Sequence, residues 1–370
     1  MKSSSYIKYS KDNSDYKVGL AQFDLFHNYN VFKRGQISGS SVAYTECVLD
    51  DDVNRLTIKG IDIKRPLSVI NKPKSKLVFK NDSFRYYLEI KNGDVDIIKP
   101  TFDATVFNNL SLYYCNNVHI DLNHKDKISS INGDSKFFVL NANSSCVSKI
   151  DFNAESLVIN KLNKNSNLLL EGKNISLTDL RVCNKVAEIG KRKNTENAFI
   201  SQGYIKSDKV IINSDNVNIN NQVLESNDRF DINKSQNIQV VDSLLKGNIN
   251  FKSNDTLFNK TSIVNTNNYN VNIDSQTLEL LNTYIYGNNI DILADGLEID
   301  SSALIGEQIN INVNLGNINL NEFKVISNNP IVINDNEFNT YNEQGFIVVT
   351  ESDIIALRDK LLSNPKRLIK

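Results

Sequence analysis

GLEIDSSALIG, residues 296–306, sets Leu297 and Ile299 two apart, follows them with Ser302, and closes on Leu304 and Gly306. Apolar residues at period two mark a strand with one buried face. One such strand says little; a column of them decides the fold. Aligned on the first aliphatic, the same succession of residue types recurs at Ile175, Ala198, Val217, Ile238, Leu257, Leu278, Leu297 and Ile318. The gaps are 23, 19, 21, 19, 21, 19 and 21 residues. Two residues further on stand Leu177, Ile200, Ile219, Val240, Leu280, Ile299 and Leu320, with Asn259 the exception. Seven on, every residue is apolar, from Val182, Ile205, Leu224 and Leu245 to Val264, Ile285, Leu304 and Val325. Five on, small or hydroxylated residues dominate (Gly203, Ser243, Ser262, Thr283, Ser302). A second register runs between these units through Val210/Ile212, Phe230/Ile232, Ile249/Phe251, Val271/Ile273, Ile290/Ile292, Ile311/Val313 and Ile331/Ile333.

Several short strands in every ~20 residues, repeated at constant length, exclude a helical solenoid, whose apolar period is ~3.6. They predict an all-β, single-stranded parallel β-helix of about 20 residues per coil, each coil stacking about 4.8 Å above the last. Pro66, Pro73, Pro100, Pro330 and Pro365 leave 101–329 free of proline, as a ladder that uses every backbone N–H requires. Asparagine at strand ends suits left-handed corners, and stacked amides can form ladders. Upstream the texture persists more weakly (RLTIKGIDI, NLSLYYCNNVHIDL). The expected organisation is an N-terminal segment and cap over 1–49, a β-helix over 50–345, and a C-terminal cap over 346–370. The β-helix is irregular to about 150 and regular over 175–333. Counted from residue 50, roughly 14 coils would give an axis of about 65–70 Å. In TESDIIALRDKLLSNP, Thr350 stands three before Asp353, Ile354, Leu357 and Leu361 share one helical face, and Pro365 follows. A helix over 351–363, lying on the last coil, is predicted.

Composition narrows the partners. Lys+Arg number 42 against Asp+Glu 43, so no basic field is present to follow a phosphate backbone, and nucleic acid is not expected. The four cysteines lack CxxC or metal spacing and read as reduced thiols. The polar start MKSSSYIKYSKDNSDYKVG lacks the apolar core of a secretory signal, and no apolar run reaches ~18 residues. The expectation is a soluble protein, cytoplasmic as synthesised and without a membrane span. Its Ser/Lys-rich start would suit export by a machine that needs no cleaved signal.

The columns in LEIDSSALIG, LELLNTYIYG and IQVVDSLLKG resemble the repeats of filamentous haemagglutinins and related two-partner-secreted exoproteins, over about 175–333. The resemblance implies a right-handed β-helix used for adhesion or for displaying a toxin. The chain departs from the family in that no stretch of it reads as an export signal or an NPNG-type motif, and in carrying little glycine.

Chemistry is sparser than architecture. Glycosidases need a carboxylate pair at defined separation, and β-helical pectinases carry paired Asp, Gly-His-Gly and Arg-x-Lys on neighbouring coils. Gly-His-Gly is absent, and Asp50, Asp51 and Asp52 precede the repeats in a predicted turn. His119 and Asp121 share the outward face of NNVHIDLNH, beside Asn123 and His124, a pair able to relay a proton or to begin a metal site. Where one gap swells to 23 residues, Lys191, Arg192 and Lys193 form a basic projection suited to an acidic partner. Tyr114, Tyr204, Tyr284 and Tyr286 are candidates to line outer surfaces. No signature of a cofactor or a metal centre appears. The sequence reads first as a non-enzymatic β-solenoid that binds or scaffolds a protein or glycan surface. A bacterial virulence-associated or adhesin-like factor is the biology this suggests. The alternatives are a glycan-active β-helix lyase or hydrolase, and a phage tail-fibre-like structural protein.

The register makes Leu304 inward and Glu298 outward. Leu304→Asp should therefore lower unfolding stability by more than about 3 kcal/mol, whereas Glu298→Ala should stay within about 0.5 kcal/mol. Denaturant unfolding of the two variants checks this, and equal losses would reject the register.

Overall fold

The structure, a computed structural model, describes the strand segments 6–11, 14–19, 22–24, 42–43, 46–50, 55–59, 62–63, 67–70, 76–80 and 87–98. Beyond them it describes 106–122, 126–163, 166–190, 195–265, 269–321, 324–327, 329, 331–334 and 336–338. Within these residues the protein is all-β and contains no helix; its parallel strands form a β-solenoid of about 11 turns, ~19 residues each. The predicted helix over 351–363 and all five prolines fall outside the described residues. The chain divides into two compact units, Met1–Val182 and Cys183–Lys370.

The second unit shows why the sequence repeats. Each coil lays three short strands around a dry interior. Face A carries inward pairs such as Leu278 and Leu280, face B single residues such as Ile285, and face C pairs such as Ile290 and Ile292, all at most 2% exposed. Like stacks on like. Leu278 registers with Leu297 and then Ile318, Ile285 with Leu304 and Val325, and Phe251 with Ile273 and Ile292. The core is thus built of columns, within which Phe230, Phe251 and Phe258 make ring contacts at 5.1 and 6.0 Å between centroids.

The corner between faces A and B is the most regular feature. Gln202, Asn221, Asp242, Lys260, Asn282 and Ser301, on successive coils, all adopt φ between 48° and 54°. Only three of these are Asn or Asp. Left-handed backbone costs an ordinary L-residue about 1 kcal/mol, so the corner must be held from outside the residue. Neighbouring coils hold it. The N–H groups of Asp242, Lys260 and Asn282 donate to the carbonyls of Asn259, Leu281 and Asp300 on the coil above; those of Ser262, Tyr284 and Ala303 donate to Ser243, Thr261 and Thr283 below. The N–H between them meets a side chain: Gln222 N–H donates to Ser243 Oγ at 3.2 Å, and Thr283 N–H to Ser302 Oγ at 2.9 Å. The buried hydroxyls of Thr261, Thr283 and Ser302 reach the carbonyls of Val240, Phe258 and Leu280 one coil below, at 3.0–3.1 Å. The small hydroxylated column in the sequence is therefore a bonding device as well as a response to tight space.

Two coils differ from the register predicted by sequence. Ile238 and Val240 stack on Thr256 and Phe258, so the anchor there is Thr256 and not Leu257. The apparent exception Asn259 disappears, and Thr261 and Ile263 take the places expected of Ser262 and Val264. Thr256 is 2% exposed, and its hydroxyl meets that of Ser253. Likewise Ile290 and Ile292 stack on Ile309 and Ile311, not on Ile311 and Val313. Val313 instead continues a corner column through Ser275 and Ala294.

The first unit follows the same plan over 106–178. Phe138 stacks on Leu157 and Ile175, and Ile131 on Ile150 and Leu168. Phe138 and Phe152 add a ring stack at 4.1 Å. Nearer the N-terminus the winding gives way to hairpins: Tyr6–Lys11 pairs antiparallel with Ser14–Gly19, and Glu46–Asp50 with Arg55–Lys59. Those hairpins are one reason the turns number about 11 and not the 14 expected. Asp50 lies opposite Arg55, while Asp51 and Asp52 fall outside the described residues.

Ser302→Ala would strip Thr283 N–H of its buried acceptor. The expected loss is about 1–3 kcal/mol, larger than for Ser301→Ala at the neighbouring left-handed residue. Denaturant titration, with hydrogen exchange at Thr283, measures it.

Candidate functional site

His119 and Asp121 end the strand Val106–Asp121, whose inward residues Val118 and Ile120 are buried. Strand alternation therefore points both polar side chains out of face A of the first unit. His119 Nε2 lies 3.2 Å from Asp121 Oδ1, with side-chain exposures of 41% and 34%. The coils above complete the group. Asp121 stacks on Asn141, and Asn141 on Asn160. Asn141 Nδ2 donates to Asp121 Oδ1 at 2.7 Å and lies 3.2 Å from His119 Nε2; Asn160 Nδ2 donates to Asn141 Oδ1 at 2.9 Å. One amide thus holds both members of the predicted pair. Both contacts fall on Nε2, which accepts from Asn141 or donates to Asp121 according to its tautomer. Asn123 and His124 lie outside the described residues. Among the described residues no group of three His, Cys, Asp or Glu side chains converges as a metal site would.

An aromatic margin adjoins this polar row. Tyr114 sits at a left-handed corner (φ 56°) with 73% of its surface exposed, and Phe137, stacked on Asn117, is 50% exposed. Two carboxylates fix the backbone around them. Tyr114 N–H donates to Asp134 Oδ1 at 2.8 Å, and Asn117 donates to Asp94 Oδ1 through its N–H at 3.1 Å and its Nδ2 at 2.9 Å. Cys115 lies buried behind them. Burial first, then the nearby Asp134 and Asp94, push its thiol up to about 12, so it stays protonated and poorly reactive. Cys146 and Cys183 are free thiols as well. The surface as a whole offers apolar rings beside hydrogen-bonding amides and acids.

The basic triplet Lys191, Arg192 and Lys193 lies outside the described residues. The described flank explains where the coil opens: Gly190 has φ 80°, and a Cβ there would stand 1.9 Å from the Asn213 carbonyl oxygen. Only glycine fits.

Sequence reading missed a second cluster, on the outer side of face B in the second unit. Tyr204 Oη donates to Glu225 Oε2 at 3.0 Å, and Lys206 Nζ to Oε1 at 2.5 Å. Partial burial alone would raise the Glu225 carboxyl, but the hydrogen bonds from Lys206 and Tyr204 and the charges of Lys206 and Lys246 outweigh it and hold it below the usual range. Burial and the bond to Glu225 push the Tyr204 phenol up; the separate bond from Lys206 to Glu225 raises Lys206. Only the coil length brings residues 204 and 225 together, so the signal was the repeat itself. Tyr284 and Tyr286 also lie on face B and are half-buried.

Because Glu225 stays ionised in the fold at pH values where a free glutamate is protonated, the unfolded chain binds more protons in that window. Its contribution is present above the ordinary carboxylate pKa of about 4.3 and is lost as pH falls through the lowered value. Glu225→Gln should flatten the acid limb of stability against pH, measured by urea titrations from about pH 6 to 3; an unchanged limb would remove Glu225 as a contributor. No helix among the described residues is long and apolar enough to cross a membrane. No protein-family model, curated protein or solved structure matches the chain.

Proposed function

We propose that the protein is a non-enzymatic β-solenoid that binds a protein or glycan surface through its outer faces. The observation that carries this reading is two exposed rings, Tyr114 at the corner that leads into face A of the first unit and Phe137 on that face, one coil above the strand that bears His119 and Asp121. Exposed apolar surface rimmed by polar groups marks interaction sites. Aromatic residues at the centre of a contact supply much of its energy, and flanking amides and acids supply orientation. The rings and amides suit the faces and hydroxyls of sugars as well as a protein partner. The resemblance of the repeat columns to filamentous haemagglutinin-type exoproteins supports an adhesin-like or virulence-associated role.

The test uses the full chain on an array of acidic and neutral oligosaccharides and on intact bacterial and animal cells. Tyr114→Ala with Phe137→Ala should weaken retention at least about tenfold, equivalent to about 1.4 kcal/mol, with the circular dichroism of the solenoid unchanged. Depolymerisation of any polysaccharide on the array would favour the glycan-active enzyme instead. Retention equal for parent and variant would move binding off this face.

A further inference from the structure

The outer side of face A in the second unit begins with a stretch that carries no charge. Three outward columns cross its first three coils. Asn197, Asn216 and Asn237 form the first, joined by Nδ2-to-Oδ1 bonds of 3.1 and 2.7 Å. The second runs from Phe199 to Asn218, whose Nδ2 donates to Gln239 Oε1 at 2.9 Å. In the third, Ser201 stacks on Asn220, and Val241 follows two residues after Gln239. None of these side chains ionises. The other faces of the unit differ: Lys206, Glu225 and Lys246 stack along face B, and Lys209 stacks on Arg229 along face C. On face A itself acids return higher up, at Asp255, Glu279 and Glu298, while Glu196, Asp215 and Asp242 lie at the corners that bound the stretch. The first unit has the same plan on its own face A. There Phe137 heads a column through Ser156 and Asn174, and the two columns beside it, begun by Val139 and Asn141, are likewise uncharged.

The chemistry of this stretch selects its partner. Phe199 leaves 49% of its surface exposed at the head of the middle column. A primary amide has two N–H groups and two lone pairs, so a ladder bond fixes exposed Asn237 and Gln239 and still lets them bond outward. Amides held in rows lose little freedom on binding. Rows about 4.8 Å apart, with outward positions about 6.7 Å apart along each strand, make a flat platform of about 10 by 13 Å. A charged partner would shed its hydration here and gain no counter-charge in return. A protein partner needs an apolar centre to the contact, and Phe199 is the one aromatic ring among the nine positions. Sugars without acidic or basic groups answer both demands: the C–H face of a pyranose covers a ring, and its many hydroxyls meet amides.

We propose that face A of the second unit is a binding site for an uncharged polysaccharide, with Phe199 under one sugar ring and the amides of Asn218, Asn237 and Gln239 on the hydroxyls of its neighbours. The assignment does not require Tyr114 or Phe137, which belong to the first unit.

Affinity electrophoresis of the full-length chain tests this, in native gels that contain dextran, mannan or galactan as neutral probes, hyaluronan as an acidic one and chitosan as a cationic one. At least one neutral gel should retard the parent, and to the same extent at about 0.05 and about 0.5 M salt, since no charge is there to be screened. Phe199→Ala should weaken that retardation about tenfold or more, with its strand circular dichroism unchanged. Leu293→Ala, which removes a side chain 40% exposed on face C of the same unit, should leave it as in the parent. Retardation by no neutral gel, retardation by hyaluronan or chitosan alone, loss at high salt, or equal effects of Phe199→Ala and Leu293→Ala would each overturn the assignment. The pair Tyr114→Ala with Phe137→Ala separates the two faces. Retardation lost in the pair and kept in Phe199→Ala upholds the first unit's face and overturns this one; the reverse result does the opposite.

Discussion

A coil of this solenoid makes almost no backbone hydrogen bonds within itself. Its N–H and C=O groups point along the axis, so every residue depends on the coil above and the coil below. The dependence is most severe at the corner between faces A and B, where the backbone is left-handed and side chains no longer alternate. There the sequence supplies a hydroxyl in place of the missing carbonyl, as Ser302 does for Thr283 N–H. Placing apolar residues at period two is easy for any strand; closing the ladder around a bend is the constraint that keeps the coil length near one value.

This constraint explains what was legible in the sequence. Residues seven after the anchor, such as Ile285 and Leu304, could be read because their neighbours in space are also their counterparts in the repeat. Thr256 could not be read, since a buried threonine with its hydroxyl satisfied locally looks polar in a string of letters while packing like valine. Val313 misled for the opposite reason: an apolar residue can fill a corner as well as a face. The N-terminal hairpins were illegible because antiparallel and parallel strands share the same alternation, and only the partner distinguishes them.

Side-chain clusters followed the same logic. The pairing of His119 with Asp121 was visible from period two alone, but Asn141, which binds both, stands 20 residues beyond Asp121. Tyr204 and Glu225 met for the same reason, 21 residues apart. Asparagines 19–21 residues apart form such ladders as well, among them Asn197, Asn216 and Asn237. A polar wall built this way is rigid and already internally bonded. Groups with spare surface, such as Tyr114 and Phe137, stand out against it.

The hydroxyl column carries one more implication. The hydroxyl of Ser302 donates toward the coil below and accepts from it as well, those of Thr261 and Thr283 donate downward, and the left-handed N–H groups of Lys260 and Asn282 donate upward. Every layer therefore has chemically distinct undersides and topsides, much as a stacked chair fits only one way up. Two such stacks could continue each other in tandem with bonding unbroken, but could never meet mirror-fashion through the same contacts. Directionality of this kind gives the fold a vectorial character: whatever is displayed along one face is displayed in a fixed order, read from one end to the other.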